Sequence, residues 1–209
     1  MRFKHYILTR FNLELYQSNP YKVKYKDEWM DNRMKLFRNY ISGLSIQTNR
    51  DFKIILAVDS KTPARYVSEL SFLLDWMNLD YVISFDKQPN IWLKENKPNT
   101  DWIITTRLDN DDELKPNFVE TIQKEFREVE ELLDVKGVKM FNKKEYPYNR
   151  TSVGSPFITL IEPTEKCLSA MYKTHSVMPK LYSSRFVGKE PLFIQHIHNY
   201  NQSNSLTQG

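Results

Sequence analysis

The sequence predicts an α/β protein built on an open, mostly parallel central sheet flanked by helices. Short β-rich runs alternate with amphipathic helical patterns through the first half of the chain. The runs are apolar enough to be buried on both faces of a parallel sheet, as 52–58 illustrates. With 209 residues, of which 40% are hydrophobic and 27% charged, the chain can bury a full core and has the composition of a globular protein.

The elements of the first half follow one another regularly. Strands are predicted at 3–9, 52–58, 81–85 and 102–106, from their apolar and β-branched residues. Helices are predicted to begin at Asp27, at Thr62-Pro63 and at Pro116, since Asp caps helices and Pro suits their first turn. The expected apolar faces are Met30, Met34, Phe37, Ile41 and Leu44; Tyr66, Leu70, Leu73, Leu74 and Met77; and Val119, Ile122, Phe126, Val129 and Leu133.

The second half is less regular. Strands are predicted at 138–141, 157–161 and 192–197, and a helix at 163–175. No internal repeat or low-complexity linker interrupts the sequence, so we expect a single domain over 1–209.

Charge and cysteine content narrow the functional class. The net charge of +4 comes from 30 basic and 26 acidic side chains that are interspersed, which does not favour a nucleic-acid partner. Cys167 stands alone, so no internal disulfide is expected. Because no run resembles a signal peptide or membrane span, we expect a cytoplasmic protein and interpret the sequons at 149–151 and 201–203 as accidental. Peripheral membrane contact stays open.

The acidic run Asp109-Asn110-Asp111-Asp112-Glu113 is the most informative stretch. It follows a predicted strand directly, so it lies at the sheet edge where open α/β folds bind ligands. Such carboxylates repel each other unless a cation or a basic partner is present, and Mg²⁺ binds one or two carboxylates together with substrate phosphates. The run equally suits a solvated cap for the helix at Pro116. A calcium loop is disfavoured, because Leu114 stands where its glycine belongs.

The segment 106–112 resembles the DxD signature of GT-A type glycosyltransferases. The wider pattern is similar to the rhamnosyltransferase family related to family 2 glycosyltransferases, and four segments carry this resemblance: 6–12, 107–112, 155–157 with Glu162, and 195–204. The resemblance implies a GT-A fold, with 1–134 as the nucleotide-sugar-binding half and 135–209 as the acceptor-side half. It also implies a nucleoside-diphosphate sugar donor, a glycan or lipid-linked acceptor, and an inverting transfer that depends on Mn²⁺ or Mg²⁺.

The resemblance implies roles for individual residues. Asp111 would be the direct metal ligand, and Asp109 would contact the donor ribose or approach the metal through water. Asp59, after the second strand, would recognise the base, although an Asp in Asp59-Ser60-Lys61 also suits a turn. The remaining implied contacts are Thr9 and Arg10 along the nucleotide, Arg107 at the diphosphate or beside the carboxylates, and His198 as a further metal ligand.

An inverting transfer needs a base that takes the proton from the acceptor hydroxyl. We rank Glu162 first and Glu165 second, with Glu190 as a third candidate; the first two also suit helix capping. His175 is expected to cap the helix 163–175, and His196 to be structural. Two rival functions stay open: a metal-dependent nucleotidyltransferase or hydrolase using the same carboxylates, and a non-catalytic nucleotide- or glycan-binding module.

Overall fold

A computed structural model describes residues 2–13, 27–148 and 152–198 of the chain. The sequons at 149–151 and 201–203, and the end of the segment 195–204, lie outside these residues. The described strands are β1 (Phe3–Arg10), β2 (Lys53–Val58), β3 (Tyr81–Phe85), β4 (Trp102–Arg107), β5 (Glu113–Leu114), β6 (Glu131–Val135), β7 (Gly137–Phe141), β8 (Lys144–Pro147), β9 (Thr159–Pro163), β10 (Ser184–Val187) and β11 (Phe193–His196). The helices are α1 (Asp27–Ser45), α2 (Ala64–Trp76), α3 (Pro89–Glu95) and α4 (Phe118–Lys124), with a 3₁₀ turn at Met178–Lys180.

Within this part of the chain, seven strands form a large sheet in the order β3-β2-β1-β4-β9-β6-β10. Every neighbouring pair is parallel except those of β9, which runs antiparallel to both β4 and β6. The predicted mostly parallel sheet is therefore confirmed. All parallel strands end at one side of the sheet, which we call the carboxyl edge.

The first helix packs as its sequence pattern predicts. Its apolar residues recur at steps of four and three, which places them on one face of a helix. All five expected residues are buried in the main core, together with the inward-facing side chains of β1 and β2. Burying one such side chain contributes about 1.5–3 kcal/mol, so this face fixes α1 on the sheet. The helix α2 packs similarly through Tyr66, Leu70 and Leu74.

The helix predicted from Pro116 is wrong in length. It spans only Phe118–Lys124, and the chain then turns into β6. Leu133 belongs to that strand, and Val129 is exposed. Phe126, also predicted on the apolar face of this helix, lies two residues beyond the end of α4 and packs against the rings of Phe3 and Trp102. The seven-residue helix α3 was not predicted.

The helix predicted at 163–175 is also wrong. The strand β9 continues to Pro163, and turns follow it, with Cys167 and Ser169 at φ of +46° and +72°. These left-handed residues are incompatible with a continuous α-helix. The carboxylate of Glu162 instead accepts hydrogen bonds from the backbone N–H groups of Leu168 and Ser169 at 2.9 and 2.6 Å. A buried side chain thus takes the place of helical hydrogen bonds.

A smaller sheet has four strands in the described chain, in the order β5-β11-β7-β8. It places β11 beside β5, the strand that follows the acidic run, with Ile194 opposite Glu113. The strands predicted at 138–141 and 192–197 are thereby confirmed as β7 and β11, with ends shifted by one residue. The predicted division at residue 134 cuts through the large sheet, since β9 and β10 follow it. No described helix is both long enough and apolar enough to span a membrane.

Candidate functional site

Three neighbouring parallel strands deliver polar residues to the carboxyl edge. The strands β2, β1 and β4 end at Val58, Arg10 and Arg107, and their registers align these ends. The acidic run after β4 is tied to β1 by the N–H of Leu108, which donates to the carbonyl of Leu8 at 3.1 Å. The side-chain amide of Asn110 also donates to the carbonyl of Phe11. The run is therefore a fixed turn rather than a solvated cap of the following helix.

Asp111 forms the centre of this site. Its Oδ2 accepts hydrogen bonds from Arg33 Nη1 at 3.0 Å and lies 3.1 Å from His198 Nε2. Burial opposes ionisation, but the hydrogen bond of His198 and the charge of Arg33 outweigh it and hold the pKa of Asp111 below its ordinary value. Arg33 also donates to Asn110 Oδ1 at 2.9 Å and lies over the ring of Trp29. The structure thus brings together Asp111 and His198, which lie 87 residues apart.

Asp112 lies on the interior side of the turn. Its Oδ1 accepts the backbone N–H of His196 at 2.8 Å, which joins the turn to β11. Its buried Oδ2 has no hydrogen-bond partner among the described residues. Burial and the nearby charges of Asp111 and Asp109 raise the pKa of Asp112 well above its ordinary value. Adjacent carboxyl groups in this run therefore have pKa values shifted in opposite directions.

Two of the residues predicted to contact the nucleotide, Thr9 and Asp59, differ in their exposure. The Thr9 side chain is fully buried; its hydroxyl donates to the carbonyl of Leu108 at 2.9 Å, and the Tyr40 hydroxyl lies 2.9 Å away. Since the side chain of Thr9 faces the interior, its predicted contact with a nucleotide is corrected to a structural role for that side chain. Asp59 is half-buried and its Oδ1 accepts the N–H of Lys61 at 2.9 Å, as in a turn-forming Asp. The buried Asn12 accepts the N–H of Asp59 at 2.9 Å and so links the ends of β1 and β2.

Two arginines lie near the acidic turn on one face of the sheet. Arg107 is opposite Leu8 in the register, and Arg10 follows Leu8 by two residues, so both side chains project to the same face. Arg107 Nη2 is 3.6 Å from Asp109 Oδ1, and the buried Nε of Arg107 has no hydrogen-bond partner in the described part of the chain. This face therefore offers positive charge beside the carboxylates.

The side chains at this site fit a divalent cation whose remaining coordination positions are filled by a bound ligand. Hard divalent ions prefer oxygen ligands, and Mn²⁺ also accepts imidazole nitrogen. Asp111 and His198 supply both kinds within 3.1 Å of each other, and Asp109 is about one third exposed beside them. No group of three or more His, Cys, Asp or Glu side chains is placed to hold a metal among residues 2–13, 27–148 and 152–198. Such a pair suits an ion that also binds phosphate oxygens.

The carboxylates predicted as bases do not lie at this site. Glu162 is opposite Ile103, near the start of β4, so it lies at the other edge of the sheet from Asp109. Burial raises the pKa of Glu162, while its carboxylate holds the turn at 168–169. Glu165 is exposed beyond the same end of β9, where its carbonyl accepts Lys97 Nζ at 2.7 Å. The expected position of both residues beside the acceptor is therefore wrong. Glu190 is exposed beyond β10, three strands from β4.

The remaining histidines have separate surroundings. His5 is buried, its Nε2 lies 2.9 Å from the Thr106 hydroxyl, and burial lowers its pKa to about 3, which identifies a neutral structural residue. His196 Nε2 is 3.4 Å from Glu113 Oε2. His175 caps no helix; its Nδ1 lies 2.6 Å from the carbonyl oxygen of Gly154.

Sequence reasoning missed two parts of the site. Arg33 is a polar residue outside the apolar pattern of α1, and nothing in its sequence surroundings marks a partner 78 residues away. The second part is the loop at Gly154 and Ser155, whose N–H groups both donate to Asp134 Oδ2 at 2.8 Å. The run 155–157 carried part of the family resemblance, which was the available signal for this loop.

Comparisons with known proteins agree with this architecture. A family model described as "Putative rhamnosyl transferase" matches residues 1–209. No curated protein sequence matches the chain. A crystal structure of S. aureus TarS 1–349 in complex with UDP resembles this one with a TM-score of 0.55 and 13% identity over 93% of this chain. A second crystal structure of S. aureus TarS gives 0.51 and 13% over 94%. The chain spans 60% and 37% of those two chains. At this identity the likeness shows the fold, and the predicted GT-A fold is confirmed.

Proposed function

The chain belongs to the putative rhamnosyl transferase family, and from this premise we propose that it transfers a sugar from a nucleoside-diphosphate donor to a hydroxyl group of a glycan or lipid-linked acceptor. The family description supports a glycosyltransferase-like function. The observation that carries the proposal is the pair of Asp111 and His198 at the carboxyl edge, beside the ends of β1 and β2. Open α/β sheets bind nucleotides at this edge.

The donor would lie across the ends of β2, β1 and β4. Asp59 is half-buried after β2, where a carboxylate can accept hydrogen bonds from a base. The side chain of Asp109 is 34% exposed, against 13% for Asp111. Its carboxylate would accept hydrogen bonds from the ribose hydroxyls. The diphosphate would then pass beside Arg10 and Arg107, whose guanidinium groups project to one face and can offset its charge.

A divalent cation would be held by Asp111 and His198, with Asp109 approaching it directly or through water. When bound, Mn²⁺ or Mg²⁺ would supply charge neutralisation for the departing diphosphate. Arg33 has a separate task, since it holds both Asp111 and Asn110 in place from α1. These two hydrogen bonds from a largely buried arginine orient the Asp111 carboxylate without a ligand.

The comparisons indicate which donors to test first. The family name makes rhamnose the first sugar to test, and the UDP in the S. aureus TarS complex makes uracil the first base to test. We propose an inverting transfer, in which the acceptor oxygen attacks the anomeric carbon as the bond to the diphosphate breaks. The acceptor would bind over β9 and β6, beside the segments that follow residue 134.

The test is a product assay with UDP- and dTDP-activated sugars, rhamnose included, in the presence of Mn²⁺ or Mg²⁺. The proposal expects release of nucleoside diphosphate and a glycosylated hydroxyl acceptor, detected by chromatography and mass spectrometry. Asp111→Asn should abolish the release, whereas Asp80→Asn, an exposed carboxylate paired with Lys53 elsewhere, should leave it unchanged. Release of pyrophosphate would indicate a nucleotidyltransferase instead. Nucleotide binding without any product would indicate a binding module.

A further inference from the structure

Two carboxylates of the acidic turn each face an arginine of the same chain. Arg33 Nη1 donates to Asp111 Oδ2 at 3.0 Å, and Arg107 Nη2 lies 3.6 Å from Asp109 Oδ1. A guanidinium group keeps its positive charge at every pH at which proteins normally work. The turn therefore has counter-charges from its own chain before any cation or nucleotide binds.

Arg33 is held in this position by more than its contact with Asp111. The same Nη1 donates to Asn110 Oδ1 at 2.9 Å, and the guanidinium lies 5.2 Å from the centre of the Trp29 ring. Arg33 and Trp29 are one turn apart on α1, which its buried apolar face fixes to the sheet. The side chains of Arg33 and Asp111 are also largely buried. The charge of Arg33 is therefore a fixed part of the site.

This fixed charge opposes a cation at the Asp111 carboxylate. Arg33 Nη1 is already at hydrogen-bonding distance from Oδ2, so a cation bound to this carboxylate would have the guanidinium as a near neighbour. Like charges repel more strongly in a largely buried site, because water and salt screen them less there than at the surface. Asp111 therefore attracts a lone cation much less than its place in a run of acidic residues suggests.

A diphosphate at the same place changes the balance. Its oxygen atoms bring negative charge, which offsets the repulsion between the guanidinium and a divalent cation. Mg²⁺ commonly binds one or two carboxylates together with substrate phosphates, so the two ligands can share the ion. Binding of the cation and binding of the nucleotide should therefore favour each other, and such coupling is reciprocal.

We propose that Arg33 makes cation binding at Asp111 conditional on the nucleotide, an inference that rests on the metal-dependent donor site proposed above. Before the nucleotide binds, the guanidinium balances the carboxylate, and Mn²⁺ or Mg²⁺ alone binds weakly. With the diphosphate present, the cation binds tightly, and it tightens nucleotide binding by the same factor. Arg33 acts through Asp111 and is thus a positioning residue.

The experiment measures Mn²⁺ binding by electron paramagnetic resonance, in which the signal of free Mn²⁺ falls as the ion binds. The wild type, Arg33→Gln, Arg33→Lys and Arg38→Gln are compared without nucleotide and with UDP, after correction for the Mn²⁺ that UDP binds alone. If another nucleoside diphosphate stabilises the wild type more, it replaces UDP. Arg38 is on the same helix, where its exposed side chain pairs with Glu69, so Arg38→Gln removes an equal charge away from the turn.

Without nucleotide, Arg33→Gln should bind Mn²⁺ about 10- to 100-fold more tightly than the wild type, because a nearby like charge is gone. The nucleotide should tighten Mn²⁺ binding correspondingly less in this variant. Arg33→Lys, which keeps the charge, and Arg38→Gln should both stay within a few-fold of the wild type. Adding Asp111→Asn to Arg33→Gln should remove the gain, which would locate the cation at the acidic turn.

Three results would overturn the role of Arg33 while leaving the donor site intact. They are Mn²⁺ binding by Arg33→Gln that is no tighter than in the wild type, an equal gain in Arg33→Lys, and equal Mn²⁺ affinity of the wild type with and without nucleotide. The third result needs no variant, so the test does not depend on the folding of Arg33→Gln. Failure of the wild type to bind Mn²⁺ with any nucleoside diphosphate would overturn the metal-dependent donor site as well.

Discussion

Replacing Asp134 with Asn tests how the loop at Gly154 and Ser155 is held. The Asp134 carboxylate accepts four hydrogen bonds: Oδ2 from the N–H groups of Gly154 and Ser155, and Oδ1 from the Ser155 hydroxyl and from the N–H of Val135. An amide keeps only one oxygen. If that oxygen serves Gly154 and Ser155, the amide NH₂ faces the N–H of Val135, and that bond is lost.

The expected loss follows from this count. One hydrogen bond to a charged acceptor contributes about 1.5–3 kcal/mol, so Asp134→Asn should lower the free energy of unfolding by that amount. For a chain of this length, 1 kcal/mol corresponds to about 2–4 °C, so Tm should fall by about 3–12 °C. The loop at Gly154 and Ser155 should become less fixed, and because the proposed acceptor side lies over β9 and β6, turnover should fall while nucleotide binding persists.

The assay is thermal and urea unfolding of the two proteins, followed by measurement of nucleoside diphosphate release. Ser155→Ala is the matched control, since it removes one hydroxyl donor to Asp134 and leaves both loop N–H donors. It should lose less stability than Asp134→Asn. If Asp134→Asn stays within about 0.5 kcal/mol of the wild type and keeps full turnover, the loop does not depend on this carboxylate.

Three further predictions concern other parts of the fold. Burial opposes ionisation of Glu131, but the contacts with Arg185 and Arg127 outweigh burial and lower the pKa of this carboxyl group. The ionised carboxylate therefore stabilises the fold at pH values above its unfolded pKa of 4.5. This stabilisation is lost as the pH falls through the lower pKa of the folded protein. Urea unfolding should therefore show Glu131→Gln to be about 1.5–3 kcal/mol less stable at pH 7, with a difference that shrinks below pH 4.5; an equal difference at all pH values would contradict this. Gly137→Ala places a methyl group 2.2 Å from the ring of Phe193, which cannot move away easily because Phe157 and Tyr148 pack against it. The free energy of unfolding should therefore fall by about 1–3 kcal/mol. The control Lys136→Ala, at the exposed neighbouring position, should show no such loss. Glu162→Gln should lose stability, because two backbone N–H groups depend on the carboxylate, but should keep turnover within a few-fold; loss of turnover with an intact fold would return Glu162 to the site.

The parts of the fold that sequence predicted are those where one periodicity runs the length of an element. The helix α1 keeps its apolar residues on one face for 19 residues, and β2 is buried on both faces. The helical pattern gave a wrong prediction where the apolar residues of α4 and of the following strand β6 happened to share one helical spacing. Phe126 and Leu133 fit one helical face, but the strand β6 between β9 and β10 buries all five of its residues, and this pairing is not encoded in spacing alone.

The candidate site shows the same division. Asp109 and Asp111 could be proposed as site residues because the acidic run follows a strand at the sheet edge where open α/β folds bind ligands, and His198 because the family resemblance implied it. The contact of Arg33 with Asp111 depends on how α1 packs, and the distance of Glu162 from the site depends on β9 running antiparallel to β4. Neither relation is visible before the register of the sheet is known.

The most direct test of the donor site is thermal unfolding with a panel of nucleoside diphosphates, with and without Mn²⁺, for the wild type, Asp111→Asn and Asp80→Asn. A nucleotide at 100 times its dissociation constant adds about 2.7 kcal/mol of stability. We expect one nucleotide to stabilise the wild type and Asp80→Asn only when Mn²⁺ is present, and to leave Asp111→Asn unchanged. Equal stabilisation of Asp111→Asn, or no response of the intact wild type to any nucleotide, would contradict a metal-dependent nucleotide-sugar site at the carboxyl edge.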